Sequence, residues 1–221
     1  MIGIRAKWVI ALLLACFLVA RQPSSAAAHP ADMYTQTYTV RLSPTAVTLT
    51  WTISPGPLLA PSVWYAADAD GDNVISDEEA RAWLSPLLAD WQSALDATPL
   101  TWEVTAVTWP TDRTAFELGD DVISALLSAT FPAPLAAADL HIANPYAESV
   151  SINWFYLYGA DGIRFARPQQ QNGRLTIPIT PDDEAALTYW DSGTPALAAG
   201  AAPVTAVNSE EGATACLLYT S

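Results

Sequence analysis

A period-two alternation of apolar and hydroxyl-bearing residues constrains this chain's fold more than any other feature. Val47, Leu49, Trp51 and Ile53 alternate with Thr48, Thr50 and Thr52. Successive side chains of a strand point to opposite faces, so this run predicts a strand with one buried and one solvated face. Tyr34 to Leu42, rich in Tyr, Thr and Val, precedes it across the turn signal Ser43-Pro44-Thr45, and the two read as a hairpin. After Pro99 the period of two returns. Leu100, Trp102 and Val104 alternate with Thr101, Glu103 and Thr105, and Ile123, Ala125, Leu127, Ala129 and Phe131 mark a further strand. Leu140 to Ala143 reads as a short strand, and Val150 to Tyr158 is the most strongly β-forming run. Gly159-Ala160-Asp161-Gly162 is expected to turn the chain back into a strand over Ile163–Phe165. Asn172-Gly173 is expected to turn tightly before Leu175–Ile179. The pattern predicts a mainly β protein, an antiparallel β-sandwich of about eight strands.

One segment, 58–97, breaks the pattern and reads as an inserted helix–loop–helix after the second strand. Pro55-Gly56-Pro57 ends that strand, and Pro61 suits the first turn of a short helix through Ala67. The next twelve residues, Asp68 to Glu79, have the order of an EF-hand calcium loop. Asp68, Asp70 and Asp72 occupy its first, third and fifth positions. Val74 would offer a backbone carbonyl at the seventh, Ser76 a direct or water-mediated oxygen at the ninth, and Glu79 both carboxylate oxygens at the twelfth. Calcium is a hard cation that takes about six to eight oxygens, so clustered carboxylates on a tightly wound loop suit it. Ile75 is expected to anchor the loop in the core, and Trp64 lies where EF-hands place an aromatic. Together with four correctly spaced side-chain ligands, Ile75 separates this loop from an ordinary acidic turn. At the sixth position Asn73 replaces the usual Gly. Asn is the next best residue for a left-handed backbone, so the turn is expected to survive with some loss of affinity. Ser76 and Glu79 also form a capping box for the exiting helix. That helix is expected from Asp77 to about Asp96, with Leu84, Leu88, Trp91 and Leu95 on one face and Pro86 kinking it or splitting it at Ser85.

The ends of the chain read differently. In residues 1–28, Arg5 and Lys7 precede an apolar run from Trp8 to Ala20, and Ala26-Ala27-Ala28 suits a signal peptidase. Cleavage there would start the mature chain at His29. Lipidation at Cys16, after Leu13-Leu14-Ala15, and an uncleaved anchor are the competing readings. Residues 29–190, about 160 in number, suffice for one well-buried domain. Residues 191–215 are rich in Ala, Gly, Pro, Thr and Ser and read as a flexible linker. Cys216 to Ser221 match the translation of a transposase adapter used for sequencing libraries, so the natural chain is expected to continue beyond them. Without the signal segment and the adapter-like tail, residues 29–215 carry six arginines against 23 acidic residues, a formal −17. That balance argues against nucleic acid or an anionic membrane surface as partner. It fits an exported, extracytoplasmic domain that attracts cations. The two cysteines, Cys16 and Cys216, both fall in the ends, so no disulfide framework is expected.

No catalytic motif stands out: there is no Gly-x-Ser-x-Gly, no His-Glu-x-x-His and no phosphate loop, and the chain does not read as an enzyme. The two histidines suggest a second metal site. His29, as a new terminus, would offer an amine and an imidazole to copper or nickel, with His141 as a third nitrogen. The competing reading is a His that merely follows a signal and a satisfied strand His. Trp109, Trp154 and Trp190 suggest a sugar-stacking platform, and hence a calcium-stabilised carbohydrate-binding or adhesive module as the alternative function.

His29-Pro30, the hairpin, Asp68-Ala69-Asp70-Gly71-Asp72, Asn144-Pro145-Tyr146 and Ile152-Asn153-Trp154 occur here in that order. Their order resembles the extracytoplasmic N-terminal domain of nickel/cobalt permeases and of HupE/UreJ-like membrane proteins, over most of residues 29–180. The resemblance implies a C-terminal membrane domain as partner and a connection with metal transport. The calcium loop is its one specific motif.

Overall fold

The computed structural model describes residues 31–180 and 187–193. The segment expected to be a signal, His29, most of the expected linker and the adapter-like end lie outside the described residues. Among the described residues eleven strands form two sheets. In chain order they are β1 (Tyr34–Leu42), β2 (Ala46–Pro55), β3 (Gln92–Leu95), β4 (Thr98–Pro99), β5 (Glu103–Thr108), β6 (Ile123–Thr130), β7 (Ala138–Ala143), β8 (Ser151–Gly159), β9 (Gln169–Gln171), β10 (Arg174–Ile179) and β11 (Tyr189–Asp191). Among the described residues three α-helices accompany them: α1 (Ala60–Ala67), α2 (Asp77–Ala89) and α3 (Arg113–Leu118). The first sheet has the order β11-β8-β1-β2-β6-β5 and the second β4-β3-β7-β10-β9. Their inner faces share one core, in which Tyr38 of β1 meets Trp91 beside β3 with ring centroids 6.1 Å apart. The mainly β, sandwich-like expectation therefore holds.

The alternating runs behave as their period requires. Tyr38, Val40, Leu42, Val47, Leu49, Trp51 and Ile53 are all fully buried, and β1 pairs with β2 across the predicted turn. β6 buries Ile123, Ala125, Leu127 and Ala129. The Asn172-Gly173 hairpin also forms, joining β9 to β10 with Asn172 at φ 52°. Gly173 is needed there for room, because a Cβ would run into the backbone carbonyl of Asn144.

Four expectations are corrected. The sandwich has eleven strands, not about eight, and it is not wholly antiparallel: β1 runs parallel to β8. Helix α2 ends at Ala89, passing through Pro86 without splitting at Ser85, and residues 92–95 form β3. Trp91 and Leu95 match helical spacing by coincidence. Pairing of β3 with β7, and a hairpin turn at Asp96 whose carboxylate accepts the Asp139 N–H at 2.8 Å, outweigh that spacing. Leu100 and Trp102 precede β5, which is bulged between Val104 and Ala106, so the alternation there does not mark one flat strand. Finally, Ile163–Phe165 is no strand. Phe165 makes only isolated bridges to Ile179 and Leu187 as the chain crosses to the second sheet.

The interior of this sandwich contains a polar hub at Gln36. Its Oε1 accepts from Tyr38 Oη (2.9 Å), Trp51 Nε1 (2.9 Å) and Asn144 Nδ2 (3.0 Å). Its Nε2 donates to the Tyr146 carbonyl (2.9 Å) and to Ser151 Oγ (2.7 Å). Burial pushes the Tyr38 hydroxyl's pKa well above its ordinary value, so it remains a neutral donor. The hub links β1, β2, the β7–β8 connection and β8. A buried donor stripped of its acceptor costs about 1–3 kcal/mol. Gln36→Leu keeps the volume but takes the acceptor from Trp51 Nε1 and from one Asn144 N–H, leaving Tyr38 Oη only Asn153 Oδ1 at 3.3 Å, and is expected to lose about 3 kcal/mol in urea unfolding. A loss under about 0.5 kcal/mol would show that the hub is not structural.

Candidate metal centre

The helix–loop–helix lies where the chain leaves the first sheet after β2 and enters the second at β3. Helix α1 begins without a side-chain cap but with Pro61 in its first turn, as its fixed φ permits. It packs on α2, α3 and β2. Trp64, 1 % exposed, drives this packing. Its ring lies 5.8 Å from Phe116 of α3 and 6.4 Å from Trp109. Trp109 meets Trp83 of α2 edge-on at 5.1 Å, and Trp83 meets Tyr146 at 6.1 Å. Tyr146 reaches Trp51 at 5.9 Å, in the sandwich core. Both helices flanking the loop are thus joined to the sandwich through a continuous chain of rings.

The loop between them is wound as its sequence predicts. Gly71 and Asn73 take left-handed backbone, φ 77° and 64°. Asn73 does what the missing Gly would do. Ile75 is half-buried against the core, while Val74 faces outward. Asp68, Asp70 and Glu79 each place a carboxylate oxygen so that all lie within 4.8 Å of one another. Asp68 and Glu79 are half-buried and Asp70 is exposed. Among the described residues this is the one group of His, Cys, Asp or Glu side chains arranged to hold a metal ion.

Three converging carboxylates repel one another, and the loop's own amides offset that repulsion. Asp68 Oδ1 accepts from Gly71 N at 2.9 Å and Oδ2 from Asn73 N at 3.1 Å. Asp70 Oδ1 accepts from Asp72 N at 3.1 Å. Glu79 Oε1 accepts from Ala69 N at 2.8 Å and Asp70 N at 3.3 Å, so the last residue of the loop closes back on its second and third. Its Oε2 accepts from both Ser76 N (2.9 Å) and Ser76 Oγ (2.8 Å). These bonds hold the Glu79 pKa down to about 2. The Ser76 N–H contributes most, then the Ser76 hydroxyl, with Ala69 and Asp70 adding less. Glu79 is therefore ionised through the neutral and mildly acidic range. The Asp68 and Asp70 oxygens keep further lone pairs for a cation, whereas each Glu79 oxygen already accepts two bonds and would exchange one of them for the ion.

Of the predicted ligands, the structure brings Asp68, Asp70 and Glu79 together. Asp72 does not join that group: its Oδ1 accepts from Val74 N at 2.7 Å. Ser76 caps α2, with the reciprocal bond from Glu79 N to its Oγ at 3.3 Å completing the capping box. His141 stands in β7 with Nδ1 3.1 Å from Thr176 Oγ1 on β10, and belongs to no group of three metal-capable side chains among the described residues. His29, its expected partner, lies outside the described residues. The sugar platform does not form. Trp109 is buried in the ring chain, Trp154 alternates with the inward-facing Asn153 and Phe155, and Trp190 is in register with buried Leu157 and packs on the core.

Helix α3 was not foreseen. Two signals mark it: Asp112, which accepts from Thr114 N (2.8 Å) and Ala115 N (3.2 Å) as N-cap, and Gly119 at φ 84° as the stop. It brings Arg113 to the loop. Arg113 Nη1 donates to Asn73 Oδ1 at 2.8 Å, its Nε pairs with Glu117 at 2.7 Å, and its guanidinium lies 4.6 Å from the Tyr65 ring centroid. Contact with Tyr65, then with Glu117, raises its pKa.

No protein-family model matches the chain, and no curated protein matches it. Among solved structures, the structure of yeast LTA4 hydrolase in complex with bestatin aligns over 75 % of this chain and 31 % of that one, at 7 % identity and a TM-score of 0.14. This chain thus spans about a third of that protein, and the score is too low for the likeness to carry any argument.

Ser76→Ala removes the cap while leaving all three clustered carboxylates in the chain. It is expected to lower stability by about 1 kcal/mol, read as a shifted urea midpoint in excess chelator. An unchanged midpoint would show that the capping box is not holding the start of α2.

Proposed function

We propose that residues 29–190 form a calcium-binding extracytoplasmic module, the ectodomain of a membrane protein of the nickel/cobalt-permease or HupE/UreJ-like type. The observation that supports this reading is the convergence of Asp68, Asp70 and Glu79 in a twelve-residue loop of EF-hand order. An all-oxygen site suits a hard cation, and a Glu with both oxygens turned to the loop suits calcium's larger shell better than a strict octahedron. Asp72, the Val74 carbonyl and Ser76 would complete the shell. Calcium acts here as a staple. A sensor opens a helix pair to expose a groove, whereas α1 and α2 are joined to the sandwich through Trp64, Trp83 and Trp109. Extracellular modules bind calcium at about 10⁻⁴–10⁻³ M, and affinity in that range suits an exported domain. No helix among the described residues is long and apolar enough to cross a membrane. The tether in this reading is sequence beyond residue 215.

A cation that binds only the folded state stabilises by about 1.4 kcal/mol at ten times its dissociation constant. Millimolar calcium is therefore expected to raise the melting temperature, and Glu79→Ala to abolish the rise. A calcium-dependent gain in binding of a hydrophobic dye would overturn the staple. Reading the gene past residue 215 tests the tether: several apolar segments of about twenty residues support it, and a stop codon sinks it.

A further inference from the structure

We propose that Arg113 is a positioning residue for the metal loop: through Asn73 it holds the loop's sixth position wound, and it couples cation binding to helix α3. The inference rests on the calcium reading above and concerns how that site is controlled. In the loop's order the sixth position supplies no ligand, so the Asn73 side chain is free to bond elsewhere while its backbone winds the turn. Gly would wind it without strain but would also leave the unbound loop free to unwind. Asn73 instead spends its side chain on Arg113, at 2.8 Å. Its own N–H reaches Asp68 Oδ2, at 3.1 Å, so the bond to Arg113 lies one residue from a clustered carboxylate.

Arg113 is well suited to the task. Its Nε is held by Glu117 and its plane lies over Tyr65 of α1, so Nη1 is aimed before the loop closes. Pairing with Glu117 also offsets the positive charge that would otherwise repel an incoming cation. Arg113 begins a helix whose Phe116 is fully buried against Trp64 and Trp109. The clasp thus joins the loop to the same ring cluster that holds α1. A departure from the usual Gly that reads as a defect in the sequence becomes, in the structure, the attachment point.

The test is calcium titration calorimetry on the whole chain, with hydrogen exchange followed at residues 113–118. Asn73→Gly, although it restores the usual residue, is expected to weaken calcium binding about five-fold, or about 1 kcal/mol. Arg113→Ala is expected to do the same, and the double variant no more than either alone. Arg113→Lys keeps the charge but loses the planar fork, and is expected to fall with Arg113→Ala. Calcium should slow exchange in α3 of the wild type and not of Asn73→Gly. The inference alone falls if Asn73→Gly binds as tightly as wild type, if the two losses add, if Arg113→Lys binds like wild type, or if α3 responds equally in both. No calcium binding by the wild-type chain would overturn this inference and the calcium reading together.

Discussion

The side-chain amide of Gln36 is the interaction on which the rest of the sandwich depends. Strand β1 lies between β2, antiparallel, and β8, parallel, and carries Gln36 on its buried face beside Tyr38. A parallel neighbour cannot be joined by a tight hairpin, so its register needs another determinant. The Gln36 amide provides one, donating to Ser151 at the start of β8 and to the Tyr146 carbonyl just before it. Its oxygen draws in Asn144 from the end of β7, in the opposite sheet. Asn144-Pro145-Tyr146 and Asn153 thus converge on β1, since Tyr38 Oη also lies 3.3 Å from Asn153 Oδ1. A polar network this deep is tolerable only because each member finds a partner.

From that hub the aromatic rings carry order outward. Tyr38 stacks on Phe155 at 4.5 Å, and Trp51 connects through Tyr146, Trp83 and Trp109 to Trp64, four residues before the loop. Edge-to-face and stacked pairs add about 0.5–1.5 kcal/mol each beyond the area they bury. The acidic loop itself is exposed and would gain little from packing. Its shape comes from its own amides, from the capping box at its exit, and from helices held by those rings.

Much of this was legible before any coordinates. The period of two marked β2 and β6, because a strand buried on one face must alternate, and a run rich in Tyr, Thr and Val marked β1. The grouping of Asp68, Asp70 and Glu79, the left-handed turn at Asn73 and the cap at Ser76 were legible because all are local, whereas Asp72 stands outside that group. The two Trp that matter most beside the site, Trp83 and Trp109, were not. Both are ordinary apolar positions until α2 and α3 bring them together. The end of α2 was misjudged because Leu84, Leu88, Trp91 and Leu95 satisfy a helical period that the pairing of β3 with β7 overrides. Helix α3 was missed although Asp112 and Gly119 announce its two ends, because it is only six residues long.

The sequence by itself determined what depends on neighbours along the chain: strand faces, turns, caps, the winding of Asp68 to Glu79 and the excess of negative charge. Tertiary structure alone decided what depends on residues far apart. It set β1 beside β8 in parallel, turned Gln36 from a strand residue into a hub, and separated Trp154 from Trp190. It also carried Arg113 across forty positions to Asn73. The reason is physical. Local geometry follows from backbone sterics and hydrogen bonds within a few residues. A contact between distant residues exists only after the whole chain has met the entropy cost of ordering itself.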